Sequence, residues 1–156
     1  MDVAAAALFF LVGWFLVAGF VVGGLVVEWH LRLIQDLRYA VSLHQVMMTL
    51  AKVGLTGGII VLVGGALSVR GRAVGLEWWS WLVLELIFLG LFIVSIRVLR
   101  ARRRLLEHIA SGRVRRDAHE RFAIINHRYR VLLAAQLVAI ALDAWPAAII
   151  LLSLQP

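Results

Sequence analysis

Val3–Val27 reads VAAAALFFLVGWFLVAGFVVGGLVV, with no charged residue in 25 positions. A helix needs about 20 largely apolar residues to cross a ~30 Å hydrocarbon core, and this run is longer than that. It is also continuously apolar, whereas the strands of a membrane barrel alternate at period two. A cleaved signal sequence has a basic start and a shorter apolar core. Here the chain opens Met1-Asp2, so the first run is expected to be retained as a helix.

Three further runs follow the same pattern. Val46–Val69 holds one charge, Lys52; Trp78–Ile96 holds one, Glu85; Val131–Leu154 holds one, Asp143. The whole chain of 156 residues is 63% hydrophobic and 16% charged. Soluble domains average roughly 45–50% apolar and about 25% charged, so disordered, fibrous and ordinary globular classes are excluded. The expectation is an all-α, polytopic membrane four-helix bundle in a single domain, with spans at about 3–27, 46–69, 78–96 and 131–154. There is no cysteine, which removes disulfides, thiolate metal sites and thiol catalysis.

The net charge of +7 becomes informative once it is placed. Of the 16 Lys and Arg residues, 13 fall between runs one and two (Arg32, Arg38) or between runs three and four (Arg97 to Arg130). Arg70 and Arg72 alone lie between runs two and three. Basic loops stay in the cytoplasm. That predicts both termini outside and a multi-pass protein of a bacterial cytoplasmic (inner) membrane. The arginines are then expected to face anionic lipid or a partner surface rather than nucleic acid.

The basic segment is expected to be helical. Arg97–Ala110 continues the third helix, Ser111-Gly112 stops it, and Asp117 to Glu120 has capping-box spacing before a new helix. The result is a cytoplasmic helical hairpin over about 97–130. Leu31, Ile34, Leu37 and Val41 recur at helical spacing, as in a short interfacial helix or an extension of the first helix. Trp78, Trp79 and Trp81 at the outer side, and Trp29, Tyr39 and Tyr129 at the inner, fit an aromatic belt at headgroup level.

Candidate functional residues fall into three sets. Gly54, Gly58 and Gly65, in line with Ala51, mark one stripe of the second helix, and Gly19 and Gly23 a pair on the first. Small residues let helices approach closely in lipid, within the bundle, against a membrane-protein partner or a second copy, or around a flat cofactor. Lys52, Glu85 and Asp143 form an expected intramembrane polar cluster, because a charge in the core costs roughly 2.5–3.5 kcal/mol and normally finds a partner. At ~1.5 Å per residue, Glu85 and Asp143 share a depth, with Lys52 closer to the inner edge. They read as a structural clasp, as a proton, ion or quinone site, or as unrelated positions that each snorkel or face a partner, and Pro146 sits three residues beyond Asp143. His30, His44 and His127, near inner helix ends, are candidate haem b or metal ligands, although no metal-site spacing is present. No Walker loop, dinucleotide fingerprint or nucleophile elbow occurs.

A glycine-rich first helix, a glycine-rich second helix, the basic extension LRARRRLLEHIASG (99–112), and a fourth helix with an internal proline and a terminal Gln155-Pro156 occur in that order. This resembles a family of small bacterial four-helix integral membrane proteins of unknown function. That family is similar to the CopD-like copper-resistance domains and the HemJ-like protoporphyrinogen oxidases. The resemblance implies the four-helix architecture. It transfers no haem or copper ligand: those groups place a histidine in the first helix, and Ala4–Gly19 has none. The HemJ-like groups also place a lysine in the third helix, where this chain has Glu85. The expected role is a non-enzymatic accessory or scaffold subunit. The alternatives are a haem- or quinone-binding redox protein and a proton-coupled small transporter.

Overall fold

The computed structural model describes residues 3–31, 33, 36–68, 75–112 and 117–153. The chain is all-α, with four helices in sequence: α1 (Val3–Leu31), α2 (Leu37–Ser68), α3 (Leu76–Ala110) and α4 (Ala118–Ser153). Three of them contain stretches long and apolar enough to cross a membrane: Ala5–Leu31, Arg38–Leu67 and Trp78–Ala110. α4 carries the fourth apolar run, but the side chains at 146, 147, 150 and 151 lie outside the described set, and it is not one of the three. Arg32, Ile34, Arg70, Arg72, Arg113, Arg115 and Arg116 also lie outside the described residues.

Neighbours in sequence are neighbours in space. α1 packs against α2, α2 against α3 and α3 against α4, the α1–α2 contact being the most extensive, while α1 and α4 meet over a short stretch. Glycine sets the closeness of α1 and α2. A Cβ on Gly57 would stand 2.8 Å from the Gly13 carbonyl oxygen, and one on Gly64 would stand 3.0 Å from the Phe10 nitrogen. Backbone cannot yield to such a methyl as a flexible side chain can, so these two helices touch main chain to main chain. The expected stripe faces mainly α3: Gly54 receives Phe92 of α3 as well as Phe20 of α1, Gly58 receives Leu89, and Gly65 receives the Trp81 ring. Of the expected pair on α1, Gly23 meets Leu50 and Gly19 faces open space. Gly13, Gly57 and Gly64 were absent from the sequence expectation.

α3 is one unbroken helix across the boundary between its apolar and basic halves. It ends as expected: the Ser111 N–H donates to Glu107 O, the Gly112 N–H to Ile109 O, and Gly112 takes φ +72°. The capping-box expectation at Asp117 is met differently, because its carboxylate engages Arg121 at 2.6 Å. The segment around Leu37 and Val41 needs correction. It is the start of α2, neither a separate helix nor an extension of α1. Asp36 decides this by capping: its Oδ1 accepts from the Arg38 N–H at 2.8 Å, satisfying a first-turn donor.

The aromatic belt also divides. Trp29, Tyr39 and Trp79 are exposed, whereas Trp81 and Tyr129 are fully buried. Trp81 packs with Phe10 and Val61, and Tyr129 belongs to the main core with Phe20, Phe92 and Leu133. Helical phase wins over position along the axis: both lie on the buried stripes of their helices.

Candidate functional site

The buried face of α3 carries Trp81, Glu85, Phe88, Phe92, Ser95, Leu99, Arg102, Leu106 and Ile109. Steps of four and three alternate throughout, the repeat that keeps one seam of a helix against its neighbours. Three polar residues ride in that seam, and α4 answers each of them.

At the basic end, Arg102 Nη1 meets Glu28 Oε2 at 2.7 Å, with the two side chains only 3% and 5% exposed. Arg130 Nε reaches the other oxygen, Glu28 Oε1, at 3.2 Å. Glu28 thus joins α1 to both α3 and α4. The Arg102 guanidinium also lies 5.5 Å from the Tyr129 ring centre and 5.6 Å from that of Phe122, within cation–π range. Burial pushes the pKa of the Tyr129 phenol up, against the pull of Arg102, so the hydroxyl keeps its proton. His44 closes this cluster from α2. Its Nδ1 donates to the Ala40 carbonyl at 2.7 Å, and its Nε2 is buried with no hydrogen-bond partner among the described residues.

Midway along, Gln136 Nε2 donates to Ser95 Oγ at 3.3 Å, both residues being fully buried. Beyond that, Glu85 and Asp143 are buried together, facing one small cavity with Trp14, Val17, Val61, Phe88 and Ile140. All four helices contribute to its wall. The cavity is about 10 Å³, at the lower limit of what one water occupies. Glu85 Oε1 and Asp143 Oδ1 have no hydrogen-bond partner among the described residues.

The structure therefore brings together two of the three charges in the expected intramembrane cluster. Lys52 is exposed, on a different face of α2 from the Ala51–Gly54–Gly58 stripe. That outward face runs Ser42, Gln45, Thr49, Lys52 and Thr56. Its hydroxyls fold back: Ser42 donates to Arg38 O, Thr49 to Gln45 O and Thr56 to Lys52 O. Gln45 bonds Arg103 across the helix interface. Among the described residues, Lys52 has no carboxylate within ion-pair distance.

The three histidines are not brought together. His44 is buried, while His30 and His127 are exposed, His30 lying edge-on to Tyr39 at 6.3 Å. Among the described residues no group of three or more His, Asp or Glu is placed to hold a metal ion.

Glu28 was missed from sequence because it follows the first apolar run by one residue and reads as a solvated flank. The available signal was an acid, alone at that helix end, facing an arginine-rich hairpin. No family model, curated protein or solved structure matches the chain.

Proposed function

We propose that this chain is a multi-pass protein of a bacterial cytoplasmic membrane. In this reading both termini are outside, the α3–α4 hairpin is cytoplasmic, and the chain serves as a non-enzymatic accessory or scaffold subunit of a membrane assembly. The observation that carries the reading is Lys52, a full charge turned outward halfway along a helix apolar enough to cross a membrane. In lipid such a charge is costly unless it snorkels or a partner meets it. The helix order that resembles the CopD-like and HemJ-like domains supports the four-span architecture within this proposal. Extraction in mild detergent followed by native mass measurement tests the role. A partner or second copy is expected, released by Lys52→Glu; a strictly monomeric protein with nothing bound counts against it. Orientation is read separately. The chain has no cysteine, so Ser111→Cys gives a single thiol, expected to react with an impermeant maleimide only after the membrane is opened.

One observation favours a second reading, proton coupling. Glu85 and Asp143 share a cavity walled by all four helices, with no cation beside them among the described residues. A buried carboxylate must be neutralised by a proton or an ion. In liposomes, Glu85→Gln and Asp143→Asn are expected to abolish a proton flux; an unchanged flux removes this reading.

A further inference from the structure

Outside the core, α3 and α4 diverge to leave a groove of about 620 Å³ between the two arms of the hairpin. Its floor is apolar, with Ala101 and Leu105 from α3 and Ile125 from α4, and its rim is basic, with Arg104 and Arg121. Asp117 occupies one corner of Arg121, at 2.6 Å. Arg104 is exposed and has no carboxylate within ion-pair distance among the described residues, and the same holds for Arg97, Arg100 and Arg128. This is selective. Arg102 and Arg130 are met by Glu28, Arg103 by Glu107, and Arg121 by Asp117. The four unmet arginines are all exposed.

Helical spacing extends the groove along the membrane-facing surface. On α3, stepping back from Arg104 by threes and fours gives Ala101, Arg97, Val94, Gly90 and Ile87, all exposed. On α4, Arg128 lies two turns beyond Arg121 on the same face. A Cβ built on Gly90 would meet nothing within 4 Å, so the strip is open at that position. At ~1.5 Å per residue, Arg97 stands at the end of the apolar run, with Arg100 and Arg104 about 5 and 10 Å beyond it. The headgroup layer adds roughly 5–8 Å to each side of the hydrocarbon core, so Arg97 and Arg100 stand within it and Arg104 just beyond, its long side chain able to reach back.

We propose that this surface is a binding site for an anionic phospholipid. The headgroup phosphate sits against Arg97, Arg104 and Arg128, and one acyl chain lies along Val94, Gly90 and Ile87. Guanidinium groups suit a phosphate because each presents parallel donors to two oxygens. The apolar strip below the rim selects a lipid over a free anion, because only a lipid fills both at once. The proposal rests on the membrane-spanning reading above and specifies its lipid contact.

The test uses full-length protein purified in a neutral detergent. Phosphatidylglycerol is titrated against phosphatidylcholine and inorganic phosphate, with thermal shift and native mass as readouts. Phosphatidylglycerol is expected to raise the melting temperature and to remain bound in the gas phase, while the other two leave both unchanged. The double variant Arg104→Gln/Arg128→Gln is expected to weaken that binding at least tenfold. Gly90→Leu, which adds bulk to the apolar strip and alters no charge, is expected to weaken it several-fold. Arg103→Gln, whose native partner is Glu107, is expected to bind as the parent does. Equal binding of phosphatidylcholine, full competition by inorganic phosphate, or unchanged binding in the double variant would each overturn the site. Detergent phase separation is run alongside. Partition of the protein into the aqueous phase would overturn the membrane reading itself, whereas a detergent-phase protein with unaltered variants would overturn the site alone.

Discussion

Glu28 and Glu85 are both buried glutamates, 4% and 3% exposed, yet they sit in opposite electrostatic settings. Glu28 has a guanidinium on each carboxylate oxygen, one of them buried with it. Glu85 has a second acid across a cavity of about 10 Å³ and no cation beside it among the described residues. The difference separates a charge held as a tie between helices from one whose burial needs a proton or ion from elsewhere. The first builds architecture, and the second leaves a position free to change state.

The largest test of this contrast is Arg102→Met. It leaves Glu28 buried with only the half-exposed Arg130, and is expected to cost about 3–5 kcal/mol in reversible unfolding in detergent. Adding Glu28→Gln should recover much of that loss, because no unpaired charge is then left inside. A double variant as unstable as the single one would mean that Arg102 acts through Tyr129 and Phe122 rather than through the ion pair. Next in size is Gly58→Ala. The new methyl would stand 2.7 Å from Leu89 Cδ2 and 3.3 Å from Glu85 Oε1, and an overpacked site of this kind loses about 1–3 kcal/mol. Glu85→Gln should do the opposite of Arg102→Met. Replacing a buried acid that lacks a cation by a neutral group of the same shape is expected to leave stability unchanged or raise it by about 1 kcal/mol. A loss on the scale of Arg102→Met would erase the contrast between the two sites. Smallest is Glu107→Gln, which breaks the Arg103–Glu107 pair, 35% and 44% exposed. About 0.5 kcal/mol or less is expected, as for helix-surface pairs generally. It calibrates what a salt bridge contributes at the same end of the bundle when it stays wet.

The helices and their order were legible because hydropathy is a property of long runs, and each run here is 19 residues or more. The stop at Gly112 was legible too, since only a few residues tolerate that backbone. The polar cluster was half legible. Depth along the axis placed Glu85 and Asp143 together correctly, but depth says nothing about direction around the helix. Lys52 follows Ala51 immediately, so it points about 100° away from the glycine stripe, and that offset was already present in the spacing. The same reasoning would have found Arg102, which continues the four-three repeat from Glu85 through Ser95. An arginine-rich segment reads as solvated until phase is considered, and phase puts one of its arginines inside. Glu28 needed the tertiary structure, because its partners are 74 and 102 residues away.

The continuity of α3 has a mechanical consequence. A 35-residue helix without a break behaves as a rod of roughly 50 Å. Its basic arm therefore has no joint at which to swivel independently of the apolar half. A torque applied near His108, by lipid or by another protein, turns the shaft that carries Glu85. The outer surface of the hairpin and the paired acids deep in the bundle are two stations on one axle.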